Sequence, residues 1–259
     1  MKFFLIGKKL GHSYSALIHN RRGLDYSLKE LPEEELGDFL REGDFCGLNV
    51  TIPYKKTVIP YLDELSAEAR NIGAVNTILK KDGKLLGYNT DFGGVEYTFK
   101  RAGVSVKGKT ACVLGAGGAA ASVTAWLSAA GAKKIISVSR KGEINFGNYG
   151  AYAGEAEILV NATPVGMFPE AGESPADLSL FPNLAFLFDC VYNPERTELV
   201  GSAKEHKIPA TSGLPMLVEQ ALLAEDIWLG KTHTAAESEE IIKFVLKNSL
   251  NLVLTGMPG

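Results

Sequence analysis

Cysteine, histidine, long apolar runs and surplus positive charge are all scarce in this chain, and each scarcity closes off a class of function. The three cysteines, Cys46, Cys112 and Cys190, are odd in number and far apart. That argues against a disulfide framework; each sits in an apolar run, so buried free thiols are the expected state. The four histidines, His12, His19, His206 and His233, offer no ligand pairing with those cysteines, so no metal site is expected. No apolar run approaches the ~20 residues of a membrane span. The stretch Phe3-Phe4-Leu5-Ile6 before Gly7-Lys8-Lys9 is too short for a secretory signal. The formal net charge is -3 and basic doublets such as Lys8-Lys9, Arg21-Arg22 and Lys133-Lys134 are isolated, whereas nucleic-acid binding needs a clustered basic surface. The expectation is a cytoplasmic, metal-free protein with no nucleic-acid or membrane partner.

What is present is an ordinary globular composition, 46% apolar and 22% charged over 259 residues, enough for one large domain or two modest ones. Short β-like runs alternate with amphipathic stretches, which predicts an α/β fold with parallel strands. Strands are expected at residues 3–6, 24–28 and 46–52, with a helix between the last two opened by Pro32 and Glu33-Glu34-Glu35. Residues 74–79 and 84–88 read as a hairpin turned at Asp82-Gly83. A helix over residues 93–102 stops at Gly103. Further strands are expected at residues 158–160 and 185–188, and helices at residues 214–229 and 235–247.

The stretch from residue 110 to 139 is more specific. A buried strand (110–114) runs into Gly115-Ala116-Gly117-Gly118-Ala119-Ala120, then an alanine-rich helix ending at Gly131 and a strand over 134–139. The pattern fits G-x-G-x-x-G/A, in which small residues close the turn and let backbone approach a pyrophosphate at the helix N-terminus. Taken alone such a turn could carry no ligand; between a strand and a helix it points to a dinucleotide. After the second strand an NAD site usually offers Asp or Glu to the ribose, but here stand Ser139-Arg140-Lys141. A guanidinium can bind a 2′-phosphate bidentately, so NADP is favoured, with Arg140 the main contact and Lys141 adding charge; a solvated turn is the other reading. Only four residues separate Ser139 from Ile144, too few for a crossover helix, so residues 141–155 should form a loop or reduced edge. Tyr149 and Tyr152 in it either flank an adenine or pack on the surface.

Seven polar clusters remain that fold punctuation does not explain: GHSYS (11–15), GLNVTIPYK (47–55), GAVNT (73–77), GYNTD (87–91), NATPVGM (161–167), DCVYNP (189–194) and GLPMLVEQ (213–220). In order, spacing and wording they resemble the shikimate dehydrogenase family from about Gly7 to Gly230. The resemblance implies NADP-dependent reduction of 3-dehydroshikimate to shikimate, in the chorismate route to aromatic amino acids. It implies two domains around a cleft: residues 1–92 plus 216–259 for substrate, and residues 93–215, Rossmann-like, for NADP. Lys55 and Asp91 match the catalytic pair. Hydride arrival builds charge on a ketone oxygen, so a proton must be supplied there, and a lysine oriented by a carboxylate can supply it. Ser13 and Ser15 match serines that hold the substrate carboxylate, two hydroxyls brought to one side by alternation in an extended segment. Thr51, Asn76 and Gln220 match partners of the ring hydroxyls; Gln220, one helical turn after Met216, shares its face. Tyr192 matches a tyrosine near substrate and nicotinamide, Cys190 an apolar cofactor contact, and Gly213 a backbone contact to the nicotinamide amide. Gly115, Ala116, Gly117, Gly118 and Ala119, with Ser139, Arg140 and Lys141, complete the implied cofactor set.

The chain departs from the family pattern at Ala16, where a proline commonly stands, at Ser139, where an asparagine is usual, and in short segments at residues 20–24 and after Lys141. A monomer or homodimer is expected. The rival readings are a quinate/shikimate dehydrogenase using NAD and a non-catalytic ligand-binding relative.

Overall fold

The computed structural model describes residues 1–11 and 13–249; His12 of the first cluster, and the expected extension of the substrate domain over residues 250–259, lie outside them. The alternation of strands and helices does produce an α/β fold, divided between two sheets. The first is built from β1 (Lys2–Gly7), α1 (Ser15–Arg21), β2 (Asp25–Glu30), α2 (Leu36–Glu42), β3 (Gly47–Val50), β4 (Glu64–Leu65), α3 (Ala67–Ile72), β5 (Thr77–Lys81) and β6 (Lys84–Tyr88). Its strand order is β2-β1-β3-β5-β6-β4. It is mixed, not parallel throughout: β5 runs antiparallel to both β3 and β6. The hairpin turns where expected, with Asp82 (φ 51°) and Gly83 (φ 77°) both left-handed, as a two-residue type I′ turn requires.

The strand expected over residues 46–52 is shorter, because the chain turns as soon as it leaves β3. Tyr54 N donates to Thr51 O at 2.9 Å. The Tyr54 ring is fully buried and its hydroxyl donates to Leu31 O at 2.6 Å. Satisfying that phenol inside the core lets a large side chain anchor the turn, and Lys55, the next residue, is thereby aimed away from the core.

The chain leaves this sheet through α4 (Asp91–Arg101), which starts two residues earlier than its apolar periodicity suggests. The second sheet follows: β7 (Thr110–Leu114), α5 (Gly118–Ala129), β8 (Lys134–Val138), α6 (Gly150–Ala153), β9 (Ile158–Asn161), β10 (Phe186–Asp189), α7 (Glu198–Glu205) and β11 (Ala210–Thr211). Its order is β11-β10-β9-β7-β8, parallel throughout. The reduced edge expected after residue 141 is there: β8 is the border strand, and only the single turn of α6 precedes the crossing to β9 on the far side of β7. Tyr149 and Tyr152 pack against the core beneath that edge; Tyr149 stacks on Phe181 with centroids 6.1 Å apart.

Two final helices, α8 (Leu214–Leu229) and α9 (Ala235–Ser249), bring the chain back. α8 lies along α4 and also rests on the first sheet. There the Trp228 ring stacks on Phe3 at 4.9 Å and its Nε1 donates to Ile78 O at 3.0 Å. Among the described residues no helix is long and apolar enough to cross a membrane. The expectation for the thiols needs correction: all three are free, but only Cys112, in the middle of β7, is buried. Cys46 and Cys190 sit just outside strand ends, where the cover of neighbouring elements stops, and are half-buried.

Candidate active site

The carboxyl ends of the strands of the second sheet face residues held by the first. Asp91 opens α4, where free N–H groups and the helix dipole favour an anion. Its carboxylate is almost fully buried and takes two different partners. Oδ2 accepts from Lys55 Nζ at 2.5 Å, and Oδ1 accepts from Asn76 Nδ2 at 2.9 Å. Asn76 is in turn fixed by Thr90, whose backbone N donates to its Oδ1 at 2.7 Å, and by Thr77 Oγ1 at 3.1 Å. Gln220, on α8, closes the group with Oε1 at 3.4 Å from Asn76 Nδ2. Four segments distant in the chain thus meet at one point. Lys56 next to the pair is exposed, as its place beyond the turn dictates.

The glycine turn comes directly up to this group. A Cβ on Gly118 would lie 2.8 Å from Lys55 Cδ, so the lysine stem rests on the first residue of α5. Gly115 has φ 116° and its missing side chain would strike Ala162 O at 2.8 Å; both facts demand glycine there. Ala116 and Gly117 are exposed, Gly117 is the N-cap with no side-chain hydrogen bond, and Ala119 follows in the first turn. The first N–H groups of α5 are therefore available to a phosphate, which is the fit a dinucleotide needs. At the end of β8, Ser139 N donates to Ile144 O at 3.1 Å and closes a tight loop that leaves Arg140 and Lys141 exposed. Neither cation has a side-chain partner among the described residues, so both are available to a ribose phosphate.

On the opposite wall, Cys190 and Tyr192 follow β10. Although the residue as a whole is half-buried, burial of its sulfur pushes the Cys190 thiol well up, with Asp189 and Asp91 adding to the shift and Lys55 opposing it. Burial also pushes the Tyr192 phenol up to about 12, with Tyr14 contributing. The two tyrosine rings lie 5.4 Å apart, joining the serine segment to the second sheet. Gly213 N donates to Val191 O at 2.9 Å. Ser13 and Ser15 do come together, with Ser13 Oγ donating to Ser15 Oγ at 3.1 Å. The route differs from the extended alternation expected: Ser15 is the first residue of α1, and the turn, not strand geometry, aligns the hydroxyls. Thr51, half-buried after β3, opens the turn that leads to Lys55, with its Cγ2 2.8 Å from where a Cβ on Gly7 would stand.

Sequence reasoning missed Thr77 and Thr90, which hold Asn76, although both sit inside the clusters GAVNT and GYNTD. The available signal was the density of small polar residues around each asparagine. Among the described residues no group of three or more His, Cys, Asp or Glu is arranged to hold a metal ion.

A parallel sheet with an uncapped glycine turn, set against a lysine–carboxylate pair held by the first sheet and by the helix that leaves it, defines a nicotinamide-dependent oxidoreductase. Comparison with known proteins narrows that class. The family described as Shikimate dehydrogenase substrate binding domain matches residues 5–78. A Clostridium perfringens protein named shikimate dehydrogenase (NADP(+)) is 41% identical over 263 residues, covering 93% of this chain and 97% of the relative. The crystal structure of shikimate dehydrogenase 1 from Peptoclostridium difficile superposes with a TM-score of 0.89 at 34% identity, covering 96% of this chain and 99% of that one. That of the Thermus thermophilus shikimate 5-dehydrogenase, in complex with NADP(H) and shikimate, gives 0.82 at 33% identity, covering 94% and 99%. The chain belongs to the shikimate dehydrogenase family.

Proposed function

We propose that this chain reversibly reduces 3-dehydroshikimate to shikimate with NADPH, as a cytoplasmic enzyme of aromatic amino acid biosynthesis acting as a monomer or homodimer. The observation that carries the reading is the Lys55 ammonium, paired with Asp91 while its stem lies on Gly118 of the glycine turn. In this reading residues 1–92 plus 216–259 bind the substrate and residues 93–215 bind the cofactor.

When bound, the cofactor supplies hydride from C4 of its nicotinamide. Lys55 Nζ donates a proton to the substrate C3 oxygen as the carbonyl is reduced, and takes it back in the reverse direction. Asp91 holds the ammonium in place and accepts from the neighbouring hydroxyl. The Ser13 and Ser15 hydroxyls donate to the ring carboxylate, while Thr51, Asn76 and Gln220 bind ring hydroxyls and Tyr192 flanks the ring. The N–H groups around Gly115, Ala116, Gly117, Gly118 and Ala119 hold the pyrophosphate. Ser139, Arg140 and Lys141 hold the 2′-phosphate, and Cys190 and Gly213 border the nicotinamide. Initial rates with shikimate or quinate, each with NADP and NAD, test the reading. NADPH should form fastest from shikimate. No reduced nucleotide from shikimate would sink it, and faster turnover with NAD or quinate would move it to the quinate branch.

A further inference from the structure

The mechanism above makes no use of Asp189, yet its carboxylate is completely buried at the last position of β10. No ion pair reaches it among the described residues, and burial raises its pKa against three hydrogen bonds that lower it. An unpaired buried carboxylate is costly, so every one of its contacts has to be worth keeping. Oδ1 accepts from Asn161 Nδ2 at 2.9 Å and from Val191 N at 3.0 Å, and Oδ2 accepts from Thr197 Oγ1 at 2.6 Å.

Two of these partners lead to the cofactor side of the cleft, and the third ties in the start of α7. Asn161 is Asp189's direct neighbour across the β9–β10 ladder. Its Oδ1 accepts from Thr163 N at 3.0 Å and Thr163 Oγ1 at 2.7 Å, shaping the turn that backs Gly115. Val191 stands between Cys190 and Tyr192, and its carbonyl receives Gly213 N. The Cys190 backbone also fills the space beside Gly213, where a Cβ would come within 2.1 Å of its carbonyl oxygen. Thr197 caps α7, accepting from Val200 N at 3.2 Å. The loops after β9 and β10 are tied once more by Phe168 N donating to Asn193 O at 2.9 Å.

We propose that Asp189 is a positioning residue for the nicotinamide: one buried carboxylate fixes the turn against Gly115 and the Cys190–Tyr192 wall together with Gly213. It sets cofactor affinity through the residues it holds. This rests on the reading of those residues as the nicotinamide border; the substrate contacts on α1, β3 and α4 are independent of Asp189, and Tyr192 is the one substrate contact on the wall it holds.

The test measures NADPH binding to the whole apo-protein by quenching of intrinsic fluorescence, and shikimate binding by calorimetry, for wild type, Asp189→Ala, Asp189→Asn and Thr197→Val. Loss of hydrogen bonds to a buried charged group should weaken NADPH binding about tenfold or more in Asp189→Ala. Shikimate keeps every contact but Tyr192, so its affinity should fall by no more than about threefold in the same variant. Asparagine can accept from Asn161 and Val191 and donate to Thr197, so Asp189→Asn should recover most of the affinity. Thr197→Val removes one contact and should fall between. A folded Asp189→Ala with wild-type NADPH affinity overturns the proposal, as does equal weakening toward both ligands. Should Asp189→Ala not fold, an NADPH affinity in Thr197→Val equal to wild type overturns it, and a selective loss supports it. A wild type that binds neither ligand would instead refute the functional reading itself.

Discussion

Adjacent residues on α8, Glu219 and Gln220, belong to two polar clusters of opposite character. Glu219 faces α9. Its Oε1 meets His233 Nε2 at 3.1 Å and its Oε2 accepts from Ser238 Oγ at 2.7 Å. Asp226, two turns on, takes His233 Nδ1 at 2.7 Å and His233 N at 3.0 Å. All four carboxylate oxygens and both ring nitrogens are engaged, so that cluster is closed. Gln220 faces the cleft, where Lys55 has three donors and uses one of them. Charges that hold helices together exhaust one another; charges that await a ligand keep bonding capacity in reserve. Burial alone does not separate the two kinds, since Asp91 is as hidden as His233.

The comparison breaks most sharply at its open end. Lys55→Ala should lower kcat by ~10²-fold or more with little change in KM, and should lower the melting temperature as well, because Asp91 is left buried without its cation. Steady-state kinetics beside a thermal melt would decide, and an unchanged kcat would remove Lys55 from the chemistry. The closed end should answer in stability alone. Hydrogen bonding to Glu219, against burial and with help from Asp226, raises the His233 pKa to about 9. A raised folded-state value means this stabilisation is complete below the unfolded histidine value near 6.5 and is lost as pH climbs through about 9. His233→Gln should therefore cost about 1–2 kcal/mol at pH 6, the shift being discounted for solvent screening, and little at pH 10, with kcat unaltered. Denaturant melts across that range measure it; a pH-independent cost would mean the charge contributes nothing.

Two smaller effects sharpen the open end. Among the described residues Arg140 is an exposed cation without a side-chain partner, so Arg140→Ala should leave the fold intact and raise KM for NADPH about tenfold while sparing NADH. Equal effects on both cofactors would place the 2′-phosphate elsewhere. Gly118→Ala adds a Cβ 2.8 Å from Lys55 Cδ. The flexible stem can give way, so the loss in kcat/KM should stay below ~10-fold, and no loss at all would show that the stem is not confined.

The long periodic elements were legible in the sequence, and so was the glycine turn, because strand, turn and helix each carry their own local signal. Short elements were not. α1 and α3 are seven and six residues long, too brief to establish a 3.6-residue period, and β4 and β11 are two-residue pairings that only tertiary contact creates. α7 did leave a trace, a capping threonine at Thr197 followed by Glu198 in the first turn. At the site, motif wording located Lys55, Asp91 and Asn76, while their meeting across four segments is a property of the folded chain. Asp189 was visible only as the first letter of DCVYNP, since nothing local announces that a carboxylate will be buried without a cation.

The chain passes between the two sheets twice, out through α4 and back through α8, and the helices lie so close that a Cβ on Gly94 would be 2.7 Å from Met216 O. Such a seam leaves the two helices no room to slide past each other. If one half tilts against the other, groups on the axis barely travel, whereas groups at the end of the lever arm sweep the furthest. Asp91 and Gln220 lie on the two seam helices themselves, whereas Arg140 follows β8, the border strand of the second sheet. Any tilt about that seam would carry Arg140 further than Asp91 or Gln220.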